Sequence, residues 1–276
     1  MSAYAYPIIL AVISLFVFTL ERVFPGRVNQ SWKRPNLLSD LAHIVFNGHF
    51  LGAAIATVYG LYIHQYLGFS LGFFADFPLI TQILICLFFL DFLQWGIHLL
   101  LHKVPFLWVF HQVHHSVKDG EMDWIVAFRF HWMEVVLYKS FLYVPMIVCG
   151  FAPEAIWFHA IFGTLIGHLN HSNLHWDYGW GRYLFNNPRM HLWHHNYHAT
   201  SSTTVNFGII FSCWDWMFGQ AHLPESAPAK IGFKGMETSP SNFISHLSWP
   251  LHKTAPVRVT AFIGTVLLTT MLWFAI

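Results

Sequence analysis

Charge is missing from long stretches of this chain, and that restricts its fold more than any other feature. Met1–Leu20 and Leu41–Ala75 contain no Asp, Glu, Lys or Arg, and Asp91 is the only such residue between Phe77 and His102. Ala155–His171 and Val259–Ile276 are also uncharged, and Trp132–Gly150 carries only Glu134 and Lys139. A helix of about 20 apolar residues crosses a bilayer. Charged residues are 10% of the 276, against about 25% in an ordinary soluble domain, too few to cover a soluble globule. These runs predict an all-α, multi-span helical membrane protein with six spans, built as a single integral membrane domain over residues 1–276. Cys149-Gly-Phe-Ala-Pro153 reads as a tight turn between two spans. Gly68 and Gly72 mark the exit of the over-long second run. The first span has no basic leader and no small-residue cleavage site, so it reads as retained.

Lys and Arg in short loops set orientation. Arg22, Arg27, Lys33 and Arg34 follow the first span, and Lys103, Lys118 and Arg129 follow the third. Arg182, Arg189, Lys230, Lys234, Lys253 and Arg258 precede the last. With alternating spans these all fall on one side, which predicts that this side is cytoplasmic; Lys139 is the exception. A net charge of +1 gives no field for gripping nucleic acid. Cys86, Cys149 and Cys213 form no CxxC pair, and read as buried apolar thiols.

The 20 histidines are the chain's other anomaly. Four clusters lie in the segments predicted to face the cytoplasm: His98-Leu-Leu-Leu-His102, His111-Gln-Val-His114-His115, His171-Ser-Asn-Leu-His175 and His191-Leu-Trp-His194-His195. On a helix, residues four apart share a face, so HxxxH offers two imidazoles to one metal. Adjacent residues diverge by about 100°, so the pair ending each HxxHH suits two neighbouring ions. The ten imidazoles provide about five nitrogens for each of two metals, which makes the expected site a histidine-lined dimetal centre. His131, His168, His198, Asp91 and Asn173 stand near the clusters and are candidates for orienting the ligands from behind. His43, His49, His64, His159, His222, His246 and His252 read as hydrogen-bonded or interfacial.

Imidazole suits zinc, copper and iron. A zinc hydrolase typically carries HExxH, which does not occur, and no cluster contains a carboxylate. Glu134 or Asp177 supplies the missing acid–base group only if the fold brings one against the metals. A metal carrier needs polar ligands at the bilayer midplane, whereas these cluster at one boundary. An oxygen-activating pair of metals fits the nitrogen-rich set better, although spacing alone does not select iron.

The run Asp91-Phe-Leu-Gln-Trp95…His98…His102…Leu107-Trp108-Val-Phe-His111-Gln-Val-His114-His115-Ser116 resembles the signature of the fatty acid hydroxylase/sterol desaturase family. So do Asn170-His171-Ser-Asn173 and Asn187-Pro188-Arg189-Met-His191-Leu-Trp-His194-His195. Trp214-Asp215-Trp-Met-Phe218-Gly219 is similar to the end of that family's core, which makes residues 91–219 the catalytic portion and 1–90 and 257–276 membrane spans and loops. Leu99 stands where the family commonly has Arg, and the third cluster varies among members, which favours His171 over His175. The resemblance implies two iron ions (replaceable by zinc in a purified protein) that activate O2 as co-substrate, with hydroxylation of an unactivated C–H bond in a lipid or sterol-like substrate. Desaturation and ether-lipid oxygenation are its alternatives. No GxGxxG or iron–sulfur spacing is present, so electrons are expected from an external reductase, ferredoxin or cytochrome, with Lys103, Lys118, Arg182 and Arg189 as candidate docking residues.

Overall fold

The structure is a computed structural model that describes residues 5–52, 54–55, 71–117 and 122–249. Four long helices build the frame: α1 (Ala5–Val23), α3 (Leu79–Lys103), α5 (Trp132–Cys149) and α6 (Pro153–His171). Between α1 and α3 lies α2 (Leu37–His43), which runs on as a π-helical segment, Ile44–Leu51. Shorter helices follow the frame: α4 (Pro105–His115), α7 (Pro188–His194), α8 (Cys213–Met217) and α9 (Phe243–Ser248). Among the described residues there is no β-strand, only three isolated bridges, Pro25–Leu174, Phe185–Phe211 and Asn196–Ile231.

Helices α1, α3 and α5 are long and apolar enough to cross a membrane. The fifth expected span, α6, matches α1 in length, but His159, His168, Asn170 and His171 make it more polar. The expected span Val259–Ile276 lies outside the described residues, as do residues 53 and 56–70 of the run Leu41–Ala75, Gly68 among them. The apolar core is narrow: Cys86 and Leu90 of α3 meet Leu142 and Met146 of α5, with Phe151 and Ala155 closing the end. Ile8, Val12, Ile80, Phe89 and Phe141 stay exposed, as expected of helix faces that meet lipid.

Two breaks in the helices decide where the histidines go. Pro105 disfavours helix at the residue before it, and Val104 is extended (φ −96°, ψ 112°). The chain therefore turns between His102 and His111, and α4 folds back against α3. At the other end of the frame, Gly150 takes a left-handed φ of 81°. Its N–H bonds Ile147 O, and the Phe151 N–H bonds Met146 O, a pairing that satisfies the last carbonyls of α5. Pro153 then opens α6, so the expected tight turn joins α5 to α6.

A buried ionic network fixes the segment behind α4. Arg34 bonds both oxygens of Asp123 at 2.6–2.7 Å and lies 2.6 Å from Asp40. Arg129 grips Asp40 at 2.6 Å through two nitrogens and donates to Ser116 O, next to His115. Arg34 and Arg129, expected among the cytoplasmic loop charges, are both buried in ion pairs.

Candidate metal centre

Nine of the ten predicted histidines converge. His98, His102, His111, His115 and His194 form one group, and His114, His171, His191 and His195 a second; within each group one nitrogen per ring lies within 4.8 Å of all the others. All nine are buried. Each adjacent pair is divided: His114 and His115 belong to different groups, as do His194 and His195. The groups touch, with the rings of His115 and His195 stacked at 4.2 Å.

Helix ends deliver the four clusters. His98 and His102 share one face at the end of α3, and α4 carries the second cluster at its C-terminus. Asn187 caps α7 by accepting the Met190 N–H at 3.0 Å, and Pro188 takes the first helical position, where its missing N–H costs nothing. That start aims His191, His194 and His195 at the other two helices. The third cluster departs from its expected geometry. Helix α6 ends at His171 and Ser172 is extended (φ −64°, ψ 156°), so His175 loses its one-turn relation to His171. His175 is exposed and joins neither group.

Within the groups, nitrogen faces nitrogen. His102 Nε2 lies 3.1 Å from His194 Nε2, and His111 Nε2 3.2 Å from His115 Nε2. In the second group His171 Nε2 lies 3.1 Å from His114 Nε2 and 2.9 Å from His191 Nε2, which is 3.3 Å from His195 Nε2. With metal–nitrogen bonds of about 2.1 Å, neighbouring ligand atoms stand roughly 3.0 Å apart in an octahedron and roughly 3.4 Å in a tetrahedron. The observed separations, 2.9–3.3 Å, lie close to those values.

The outer nitrogens explain which way the rings face. His98 Nδ1 donates to Phe207 O (2.8 Å), His171 Nδ1 to Gly167 O (2.7 Å) and His194 Nδ1 to Val205 O (2.9 Å). His111 Nδ1 bonds Glu134 Oε1 at 2.7 Å. In neutral imidazole a proton on Nδ1 leaves Nε2 bare, ready to bind a cation. His98 Nε2 is buried and has no hydrogen-bond partner. Burial, reinforced by neighbouring imidazoles, holds His111, His114, His115, His191 and His195 well below the ordinary imidazole range. His194 is lowered for the same reason, against the opposing pull of the Val205 carbonyl. Trp108 packs on His102 and His115, Phe207 on His98, His102 and His194, and Phe130 on His114. These nitrogen-only, desolvated groups fit two divalent transition-metal ions.

The five residues predicted to support the site have different places. Asp91 accepts from Ile210 N, Phe211 N and Trp214 Nε1 at 2.8–2.9 Å; it holds the segment that presents Phe207 O. His168 bonds Ser14 Oγ at 3.1 Å and packs on Trp124 and Phe128. His131 caps α5 and bonds Leu247 O, Asn173 ties down Arg27, and His198 is exposed. The sequence marks Glu134 only as an acid–base candidate and Asp215 only as part of the motif at the end of the core; Asp215 accepts from Phe207 N, Gly208 N and Trp95 Nε1 at 2.9 Å. A lone carboxylate in an apolar helix was the available signal for Glu134. Neither carboxylate on which a hydrolase reading depended joins the grouped nitrogens: Glu134 sits on the far side of the His111 ring, and Asp177 pairs with Arg182 and Arg189 at 3.1 Å. Of the other histidines, His43 bonds His246 at 3.1 Å, His159 is buried, His49 and His222 belong to neither group, and His64 and His252 lie outside the described residues.

Comparison with known proteins agrees with this geometry. A family model described as fatty acid hydroxylase matches residues 83–220, half of the chain. The ornithine lipid hydroxylase OlsE of Rhizobium tropici is 27% identical over 252 residues, covering 88% of this chain and 73% of the relative. Alkylglycerol monooxygenases are similar over a shorter stretch. The Caenorhabditis elegans protein is 28% identical over 48% of this chain, and the Xenopus tropicalis protein 30% identical over 51%. Those matches span 25% and 30% of the two monooxygenases. No solved structure matches.

Proposed function

This chain belongs to the fatty acid hydroxylase family, and from that premise we propose that it is an O2-dependent membrane oxidoreductase that hydroxylates an unactivated C–H bond of a bilayer lipid. One observation carries the reading: two touching, buried, all-imidazole groups, anchored by His98 and His102 at the end of the membrane-type helix α3. In the proposed ligand set, His98, His102, His111, His115 and His194 hold one iron ion, and His114, His171, His191 and His195 hold the other. His175 is left out. Bound iron supplies the oxidising power that C–H cleavage by O2 requires, chemistry that no side chain provides. The balance is lipid–H, O2, two electrons and two protons giving lipid–OH and water.

The protein's own part is orientation and exclusion. The carbonyls of Val205, Phe207 and Gly167 and the carboxylate of Glu134 fix the rings with Nε2 inward. Burial keeps those rings neutral, as ligands must be. Trp108, Phe130 and Phe207 wall the site from water, which limits unproductive loss of the oxidant. The position of His98 and His102 at the end of α3 supports a site at the membrane boundary. There a lipid arrives from the bilayer and electrons from a soluble or membrane-bound carrier, on the side that the loop charges favour as cytoplasmic.

The likeness to an ornithine lipid hydroxylase over 252 residues favours hydroxylation of a polar membrane lipid over desaturation. The test compares lipids from cells expressing the wild type or His194→Ala, grown under isotopically labelled O2. A lipid carrying one labelled oxygen, made only by the wild type, is the expected result. An unlabelled product short of two hydrogens would replace hydroxylase with desaturase. Consumption of an alkyl glycerol ether would move the reading to ether-lipid oxygenation.

A further inference from the structure

We propose that residues 183–185 and 213–218, read from the sequence as part of a cytoplasmic loop, lie against the acyl chains of the bilayer as a re-entrant flank of α3, with Trp180 and Arg182 at its headgroup edge. Two independent observations carry this.

The first is a continuous apolar surface that begins on a membrane-type helix. Phe88 of α3 stacks on Phe211 at 4.5 Å, and Phe211 packs on Phe185 at 5.5 Å. One turn along α3, Phe92 meets Trp214 and Phe218, and Phe218 also stacks on Trp95. The ring of Trp216 then leads to Tyr183 and Trp180. The outer side of this chain of rings is exposed: Trp180 is 89% exposed, Met217 70% and Phe218 51%, with Tyr183, Leu184 and Trp216 beside them. On a water-facing cap such a patch would be a liability. Here it continues the exposed face of Phe88, Phe89 and Phe92, and Trp and Tyr are the residues that favour the edge of a membrane.

The second is how the irregular backbone is satisfied. Asp91 lies about 18 Å along α3 from Leu79, at the middle of a helix about 37 Å long, so the segment it binds sits beside the middle of that helix. Non-helical backbone at membrane depth is tolerated only where protein satisfies its polar groups. Asp215 takes the N–H groups of Phe207 and Gly208, and Asp91 those of Ile210 and Phe211. Asn186 bonds Gly208 O through its side chain and Ile210 O through its backbone, and Asn170 bonds Ile209 O. Ser212 N closes on Leu184 O. Water is needed at none of these groups. Asp177, Arg182 and Arg189, which share ion pairs, mark the end that returns to the headgroups.

The inference rests on α3 crossing the bilayer and not on the chemistry of the metal centre. It is tested on the wild-type protein in vesicles of phosphatidylcholine with a photoreactive diazirine near the end of the acyl chain. Peptides containing Tyr183 and Met217–Phe218 are expected to carry adducts about as often as the Phe88–Phe89 peptide, and at least several-fold more often than Glu225–Ser226. Adducts confined to α1, α3 and α5 would overturn it, whether water or a second copy of the chain covers the patch. A spin label at Met217→Cys, with the three native cysteines replaced, gives a second reading. Relaxation by O2 should exceed relaxation by a water-soluble nickel chelate, and the reverse order would place the flank in water. Neither measurement needs metal or turnover, so failure here leaves the proposed lipid hydroxylation standing.

Discussion

Glu134 and His111 form a buried pair in which carboxylate oxygen Oε1 lies 2.7 Å from imidazole Nδ1. They come from different helices, α5 and α4, and the side chain of Glu134 is fully buried. The carboxylate accepts the Nδ1 proton and so points the bare Nε2 of His111 at His115. Supporting partners of this kind typically contribute about 10–100-fold in metal affinity. Glu134→Ala is expected to weaken metal binding by about that factor, measured by competition with a chromogenic chelator. Glu134→Gln keeps an oxygen acceptor and should retain most of the affinity. Equal loss in both variants would show that the negative charge, not the acceptor or the packing, matters.

Metal stoichiometry separates the two histidine groups. The wild type is expected to bind two ions per chain, by elemental analysis of purified protein. His102→Ala removes a ring from the first group and His191→Ala one from the second; each should lower the content toward one. His175→Ala should leave it at two, because that side chain is exposed and outside both groups. Metal loss in His175→Ala with full loading in His191→Ala would reverse the assignment.

Gly208 permits a close approach that no other residue can make. A Cβ at this position would lie 2.5 Å from the backbone oxygen of Phe211 and 2.9 Å from Asp215 Oδ2. Gly208→Ala must therefore push the segment away from Asp215, and Phe207 O moves with it. A cost of about 1–3 kcal/mol is expected for overpacking of this kind, read as a lower melting temperature. Weaker metal retention should accompany it, because His98 loses its fixed partner. An unchanged melting temperature with full metal would show that the segment adjusts freely.

How much of this was legible beforehand depends on the range over which each feature is encoded. His98 and His102 share a group because four residues make about one helical turn, and the adjacent pairs divide because neighbours on a helix diverge; both rules are local. His175 fails the same rule because α6 stops at His171, and nothing in His-Ser-Asn-Leu-His announces that end as Pro105 announces the end of α3. Glu134 and Asp91 stood out as carboxylates in apolar helices, but their partners depend on tertiary packing: Asp91 pairs with residues about 120 positions away. The aromatic flank was hidden for a related reason. Trp180, Tyr183, Trp216 and Phe218 sit in segments too short and too mixed to register as spans, and only packing against α3 joins them into one surface.

The ionic network behind α4 yields the last prediction. Asp40 faces two guanidinium groups and Asp123 faces one of them, so the four buried charges balance. Asp40→Asn would leave two buried cations against one carboxylate, and breaking a buried pair by removing one partner costs about 3–5 kcal/mol. Arg129 also donates to Ser116 O, directly after His115, so the disturbance should reach the C-terminal end of α4 and its three ligands. Asp40→Asn is therefore expected to lower both the melting temperature and the metal content. Pairing it with Arg129→Met removes one charge of each sign and should recover part of the stability, measured in the same detergent. The carbonyl of Ser116 still lacks its donor in the double variant, so metal retention should recover less than stability. If the double variant were no more stable than Asp40→Asn alone, charge imbalance would not be the cause, and the network would act through hydrogen bonds instead.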